Sequence, residues 1–226
     1  MRLKVFPWLG QEFVSLSREG NGEGTVEDET REVFARFAEG LEPFGLTLDH
    51  TVRTRMFVRD MDTWHAGVHE RVRILKGKAR SVSSSHVWPA RLGPKARMSV
   101  DLMAMFPPRD GGEKVFREYE PQTIVLRRMN WGGLLFLSGV TDMTHTTFDG
   151  QFPVIIQRLT DTLADGGGSW DRVARASFFL HHEEKLDMLR ARFRQAVGAA
   201  IPGMDYTFVG TRQGKRLEIE LTARLQ

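Results

Sequence analysis

The chain has 226 residues, 41% of them hydrophobic, which is enough for a substantial core and for two small domains. Its 32 basic and 29 acidic side chains are interspersed and leave a formal charge of only +3, so composition alone does not indicate nucleic-acid binding. The absence of cysteine excludes disulfides, thiolate nucleophiles and zinc–thiolate sites. We expect a cytoplasmic protein, because no segment has the apolar run of a secretory signal or of a membrane span.

In chain order, the first half predicts a strand, a helix, a strand, a helix and a closing strand. A short alternating segment, Phe13–Ser17, comes first, and the run Val52–Val58 is the middle strand. Residues Ser84–Pro89 read as a loop insertion in which His86 and Trp88 are candidates for ligand contact. The apolar positions that define the two helices and the closing strand are Val33, Phe34, Phe37, Leu41 and Phe44; Trp64, Val68, Val72 and Leu75; and Met98, Val100, Leu102 and Ala104.

The second half repeats this pattern. Gly45 and Gly167 each begin a short segment that ends in Asp and precedes an alternating strand, and they lie 122 positions apart. The strand Val173–Leu180 follows the second of these segments. The flanking helices and the closing strand are defined by Ile155, Ile156, Leu159 and Leu163; by Leu186, Leu189, Phe193 and Val197; and by Leu217, Ile219, Leu221 and Ala223.

A break between the two copies is predicted where the chain carries its strongest turn signal. The run Pro107–Gly112 contains two prolines and two glycines and follows the first closing strand. We therefore predict an α+β fold with two tandem domains, residues 1–112 and residues 113–226.

The order of elements, together with Ala79-Arg80-Ser81, Phe136–Gly139 and the closing Leu217–Glu220, resembles the RidA/YjgF/UK114 family of reactive-intermediate deaminases in tandem duplication. The resemblance implies two chorismate-mutase-like domains, each a mixed sheet with two helices on one face. It further implies sites in clefts between neighbouring sheets, and assembly in threes. For a two-domain chain we expect a homo-oligomer, with a trimer of chains favoured.

The resemblance also implies a reaction and the residues that perform it. Family members hydrolyse imine or enamine intermediates, so the expected substrate is a small carboxylated imine, enamine or related C–N compound. Arg80 matches the arginine that grips the substrate carboxylate, and Glu218 matches the glutamate that handles water. The turn Ser138-Gly139 matches the backbone that lines the pocket.

Each copy keeps only one of the two charged positions. Asp205 or a neighbour falls at the arginine position of the second copy, and Ser99 replaces the glutamate in the first, with Asp101 on the same strand face. We therefore hypothesise a single composite site that joins Arg80 of the first copy to Glu218 of the second, with Ser138, Gly139, Asp101 and Ser99 as substrate-binding candidates.

Two other functions remain open at this point. A degenerate copy of the fold can bind a ligand or serve assembly without turnover. RNA binding is the second alternative, because Arg53, Arg55 and Arg59 share one side of a strand, although aromatic residues are scarce there. Phosphate-loop and dinucleotide fingerprints are missing, so we expect no cofactor. We also expect no metal, because His65 and His69 lack a third ligand and because the glutamates of the His181–Glu184 run suit a helix N-terminus.

Overall fold

The first half of the chain forms a five-stranded sheet with two helices. In the computed structural model, residues 1–210 and 214–225 are described. Strand order is β1-β2-β5-β3-β4, and every pairing is antiparallel except that of β3 with β4. The elements are β1 (Arg2–Trp8), β2 (Gln11–Glu19), α1 (Val26–Leu41), β3 (Thr51–Val58), α2 (Met61–Ile74), β4 (Val82–Val87) and β5 (Met98–Met105).

The helices of this half pack on one face of the sheet. Thr25 caps α1, because its hydroxyl accepts a hydrogen bond from the Asp28 backbone while the Asp28 carboxylate accepts one from the Thr25 backbone. The apolar stripe of α1 is buried against the inward residues of β2, β3 and β5. The buried residues that carry this core include Val33, Phe34, Phe37, Leu41, Leu16, Met56 and Val100.

The second half forms a seven-stranded sheet in which β11-β10-β12-β8-β7-β6 lie side by side and β9 also pairs with β12. The helices α3 and α4 flank this sheet and share its core. The elements are β6 (Val115–Arg117), β7 (Arg128–Trp131), β8 (Leu134–Leu137), β9 (Val140–Thr141), α3 (Phe148–Asp165), β10 (Val173–His181), α4 (Leu186–Val197), β11 (Gly203–Val209) and β12 (Leu217–Arg224). The predicted α+β class, with two helices per sheet, is confirmed.

The repeat extends to the hydrogen-bond register. The pairing of β3 with β5 is irregular between Thr51 and Arg53, and that of β10 with β12 is irregular between Val173 and Arg175, again 122 positions later. In both halves the strand after the second helix pairs in parallel with the middle strand. The two copies can therefore be aligned residue by residue through their strand partners.

One predicted loop is a strand. Residues Ser84–Val87 belong to β4, Trp88 and Pro89 follow its end, and His86 is only 1% exposed. The sequence reading failed because a run of serines lacks the apolar alternation of a half-buried strand. Here the serines are buried by a second sheet rather than by apolar partners, so polarity did not mark solvent exposure.

The two sheets meet through the faces that do not carry helices. Arg53 on β3 pairs with Glu220 on β12, and the rings of His86 on β4 and Phe179 on β10 stack at 3.8 Å. The proposed domain boundary near residue 112 lies between the end of β5 and the start of β6. Among the described residues, no helix is both long enough and apolar enough to cross a bilayer.

Candidate functional site

Glu218 lies in the middle of the interface between the sheets. It belongs to β12, is 4% exposed, and forms an ion pair with Lys215. Nδ1 of His86, on the opposing sheet, is 3.8 Å from its carboxylate. Burial raises the pKa of Glu218 above its ordinary value, and the positive charges of Lys215 and Arg71 oppose this shift without cancelling it. A carboxyl group tuned in this direction suits proton transfer nearer neutral pH.

The Ser138-Gly139 turn joins Glu218 to the first sheet. The hydroxyl of Ser138 accepts a hydrogen bond from the Ser83 backbone N–H at 3.0 Å, and the Gly139 N–H donates to the Ser83 carbonyl at 3.1 Å. A Cβ atom on Gly139 would collide with the carboxylate of Glu218. The turn therefore fixes β4 against the second sheet and leaves room beside the carboxylate only because residue 139 is glycine.

This close approach gives a first prediction. Gly139→Ala forces the Glu218 carboxylate to move, so we expect a loss of about 1–3 kcal/mol in the free energy of unfolding, measured by urea denaturation. Gly112→Ala is the matched control, because its added Cβ would meet its nearest neighbour at 3.4 Å, an ordinary contact. Equal stability of the two variants would contradict the packing described for Gly139.

Arg71, on α2, supplies a buried cation near Glu218. It is 2% exposed, and its guanidinium donates to the Ser84 carbonyl at 3.1 Å and to the hydroxyls of Ser85 and Ser83 at 3.0 and 3.3 Å. Within the described part of the chain it makes no ion pair with a carboxylate. Burial lowers the pKa of Arg71 to about 10, so it remains protonated at neutral pH. Among the described residues, the hydrogen bonds of its guanidinium thus go to neutral oxygens, while the Glu218 carboxylate acts on it through space.

Arg71 and Glu218 line the same cavity, which we term the Glu218 cavity. Its volume is about 480 Å³, within the range of roughly 300–1,000 Å³ typical of small-molecule sites. Two opposite charges therefore border this cavity: the guanidinium of Arg71, which makes no ion pair with a carboxylate among the described residues, and the carboxylate of Glu218. The rest of the lining is partly polar and partly apolar. The lining residues are Trp64, Val68, Arg71, Ser84, Ser85, Gln122, Thr123, Ile124, Val125, Gly139, Thr141, Met143, Lys215 and Glu218.

Arg80 occupies the wall behind this cavity rather than its lining. Its guanidinium donates two hydrogen bonds to the Glu118 carboxylate, from Nε to Oε1 at 3.0 Å and from Nη2 to Oε2 at 2.9 Å, and a third to the Ile124 carbonyl at 3.1 Å. Its side chain is 14% exposed. In this arrangement Arg80 orders the segment that carries Ile124, and its charge is already neutralised by a carboxylate.

The strand register settles which residues correspond between the copies. Ser99 and Glu218 occupy the same position, because their strand partners are Phe57 and Phe179, which are 122 positions apart. The hydroxyl of Ser99 is buried and finds no hydrogen-bond partner among the described residues. Asp101 corresponds in turn to Glu220.

The register also corrects one assignment. Val82 and Gly203 are equivalent by their pairing with Arg53 and Arg175, so residue 201, an isoleucine, takes the place of Arg80 in the second copy. Asp205 corresponds instead to Ser84. The predicted equivalence of Asp205 or a neighbour with Arg80 is therefore wrong by four positions. The sequence between α4 and β11 contains no motif that fixes the alignment of the two copies.

A scan of protein-family models and a search of curated proteins each found no match. A crystal structure of chorismatase superposes on 94% of this chain and 74% of its own, with a TM-score of 0.68 at 16% identity. The chain shares its fold with chorismatase.

Single-domain structures match half the chain each. A YjgF/YER057c/UK114 family member from Mycobacterium tuberculosis covers 50% of this chain and 99% of its own, with a TM-score of 0.43 and 19% identity. RidA from an Antarctic Psychrobacter species covers 48% and 93%, with a TM-score of 0.43 and 16% identity. The chorismatase match spans both sheets and confirms the predicted tandem architecture as a fold.

Two of the three arginines proposed for RNA binding, Arg53 and Arg55, face the second sheet, whereas Arg59 lies one residue beyond the end of β3. Arg53 is 6% exposed and donates to the carboxylate of Glu220, which also accepts from Arg55 at 2.7 Å. Arg59 is held by the backbone carbonyls of Gly93 and Ala96, at 2.8 and 2.7 Å. These guanidinium groups are committed to internal partners, so the stripe does not form a free basic surface.

His86 is buried in the interface and is not an exposed loop aromatic. Burial lowers the pKa of His86 well below its ordinary value, and the nearby cations Lys215 and Arg55 add to this effect, so the ring is neutral at physiological pH. Neither ring nitrogen has a hydrogen-bond partner among the described residues. His86 thus supplies an uncharged wall behind Glu218.

The histidines at the end of β10 form a small cluster. Potential ligand atoms of His181, His182 and Glu183 lie within 4.8 Å of one another. The guanidinium of Arg216 donates to the Glu183 carboxylate at 2.6 Å. A protein cation thus already binds the carboxylate that a metal would need, and we assign no function to this cluster.

Sequence reasoning missed Arg71, although a signal was present. Trp64, Val68, Arg71 and Leu75 follow the spacing of one helix face, which places the arginine on the buried stripe. Nearby cations such as Arg73 hide this signal, because a run of basic residues is typical of a solvated face and Arg73 is indeed exposed. A charged residue on the apolar stripe of a helix indicates a buried charge.

Proposed function

We propose that this chain hydrolyses a small carboxylated imine or enamine in the Glu218 cavity. Support comes from one observation: the buried guanidinium of Arg71, which makes no ion pair with a carboxylate among the described residues, shares a cavity with the buried carboxyl group of Glu218. A guanidinium binds a carboxylate through two parallel hydrogen bonds, so Arg71 is suited to anchor the acid group. The trimer of chains predicted from the resemblance is not required for this site, because both sheets belong to one chain.

In the proposed reaction, the ionised Glu218 takes a proton from water as the oxygen attacks the imine carbon. Glu218 delivers this proton to the nitrogen, which gives a carbinolamine. The carboxylate then takes the hydroxyl proton and returns it to the amine as the C–N bond breaks, so the products are a 2-oxo acid and ammonia. Lys215 orients the carboxylate through its ion pair. The backbone at Gly139 forms the wall next to the reacting carbon.

The assignment of the anchor is tested by two matched arginine variants. With a 2-imino acid formed in situ by oxidation of L-leucine, we expect Arg71→Met to lower kcat/KM by about 10–100-fold, the value of a lost charge-assisted pair. Arg80→Met should lower it less than about threefold, because Arg80 acts on the cavity wall. Accumulation of ammonia and of the 2-oxo acid is measured, with thermal unfolding as the check on folding.

The reverse ranking would assign the carboxylate to Arg80, as the family resemblance implies. Equal turnover in both variants and in the wild type, with folding intact, would remove the assignment of Arg71 as the anchor, and no turnover by the wild type would remove the proposed function. Arg71→Lys adds a further control, since it keeps the charge but not the planar fork. We expect partial recovery of activity in that variant.

The chorismatase likeness and the size of the cavity favour a second candidate. A volume of about 480 Å³ also accommodates a ring-bearing acid. Hydrolysis of an enol ether resembles hydrolysis of an enamine, since both need a proton donor at an electron-rich carbon and then water. Release of pyruvate from chorismate by the wild-type chain, in the absence of imine turnover, would select this candidate.

A further inference from the structure

A second cavity, separate from the Glu218 cavity, lies between the two sheets on the side of β1 and β2. Its volume is about 350 Å³. Among the described residues, five arginines line it, and we term it the arginine cavity. They are Arg2, Arg53, Arg55, Arg91 and Arg175.

The carboxylates near these arginines are too few to neutralise them. Glu220 serves both Arg53 and Arg55, and Arg91 takes both oxygens of Asp101 at 2.8 Å. Arg175 pairs at 2.7 Å with a third carboxylate, that of Asp205, which lies beside the cavity. Five cations against three anions leave a net charge of +2.

Arg2 accounts for part of this excess. Within residues 1–210 and 214–225 it makes no ion pair with any carboxylate. Arg55 is shared between the Glu220 carboxylate, at 2.7 Å, and the Ser177 hydroxyl, also at 2.7 Å. The excess positive charge is therefore distributed along the cavity wall, where two anionic groups of one ligand can be bound at separate points.

The arginine cavity also has an apolar part of its lining. Phe6 and Trp8 of β1 and Leu102 and Met103 of β5 contribute to it. A ligand that fits this cavity carries charged groups together with a hydrocarbon or aromatic body. Inorganic anions satisfy only the first requirement.

We propose that the arginine cavity binds a small organic dianion, carrying carboxylate or phosphate groups on an apolar body, between the two sheets. This site is independent of the hydrolytic reaction proposed for the Glu218 cavity. Guanidinium forks suit both oxyanions, and their strength increases in a partly desolvated cavity. Because the ligand contacts both sheets, its binding also stabilises their association.

Calorimetric titration with benzene-1,3-dicarboxylate and with phenyl phosphate tests the proposal and distinguishes the two oxyanions. We expect at least one of them to bind and to raise Tm, with benzoate, a monoanion, about tenfold weaker or more. Arg175→Met and Arg2→Met should each weaken binding by about tenfold or more. Arg36→Met is the matched control, because it removes the same charge from the exposed face of α1 and should bind as the wild type does.

The Arg2 variant shows that a loss of binding does not come from misfolding, and the Arg71 variant separates the arginine cavity from the Glu218 cavity. Arg2 is exposed and makes no ion pair within the described part of the chain, so its substitution does not threaten folding. Arg71→Met should keep dianion affinity. Absence of binding by both probes, equal affinity in the Arg2, Arg175 and Arg36 variants, or a loss seen only in Arg71→Met would each overturn the proposal.

Discussion

Glu218→Gln is expected to lower kcat for imino-acid hydrolysis by about 10²–10⁴-fold, the usual contribution of a positioned acid–base group. The amide preserves the shape of the side chain but cannot accept a proton from water. Burial raises the pKa of Glu218, so the wild-type rate should increase with pH through a value above the ordinary 4.5 of a glutamate. The variant should lack this rise.

Glu183, which lies in the same half of the chain as Glu218, provides the control. Glu183→Gln removes an exposed carboxylate that pairs with Arg216 and does not line the Glu218 cavity, so its kcat should match that of the wild type. Unchanged kcat in Glu218→Gln, with the wild-type Tm retained, would contradict the catalytic assignment of Glu218.

Glu220→Gln should produce the largest loss of stability in the chain, about 3–5 kcal/mol of unfolding free energy. The carboxylate of Glu220 is 1% exposed and accepts hydrogen bonds from Arg53, Arg55 and Ser84. Its removal leaves two buried guanidinium groups facing a neutral amide. Glu39→Gln is the matched control, because it breaks a solvent-exposed pair that contributes little to stability.

The pH dependence of the unfolding free energy gives a second test of the Glu220 ion pairs. Burial alone would raise the pKa of Glu220, but the guanidinium groups of Arg53 and Arg55 outweigh burial and hold it at about 2. A carboxyl pKa below its unfolded value of 4.5 stabilises the folded state above that pH, and the stabilisation is lost as pH falls from 4.5 toward 2. Urea denaturation across this interval should show the loss in the wild type and a smaller one in Glu220→Gln. Parallel curves would contradict the pairing.

The fold could be predicted from the sequence because the hydrophobic patterns that define its elements are local. The stripes of α1 and α3 and the alternation of β5 and β12 depend on periodicity within single elements, and the repeat doubled each signal. The strand β4 was missed because its burial comes from a distant part of the chain. Ser84 donates to Glu220, a residue 136 positions away, and no local pattern encodes such a contact.

The site was only partly accessible for the same reason. Glu218 and Gly139 were selected through the family resemblance, and the structure brings them together at the inter-sheet cavity. Arg80 was selected in the same way, yet its guanidinium is taken up by Glu118, which sequence spacing could not indicate. Arg71 reaches the cavity from a helix, and its role follows from burial and from the absence of a carboxylate partner among the described residues.

The position of a bound 2-oxo acid tests the central claim most directly. A crystal structure of the wild-type chain with 4-methyl-2-oxopentanoate, the product from the leucine-derived imine, should show the ligand carboxylate on the guanidinium of Arg71. The 2-oxo carbon should face the carboxyl group of Glu218, beside Gly139. A ligand held by Arg80, or bound only outside the Glu218 cavity, would contradict the account.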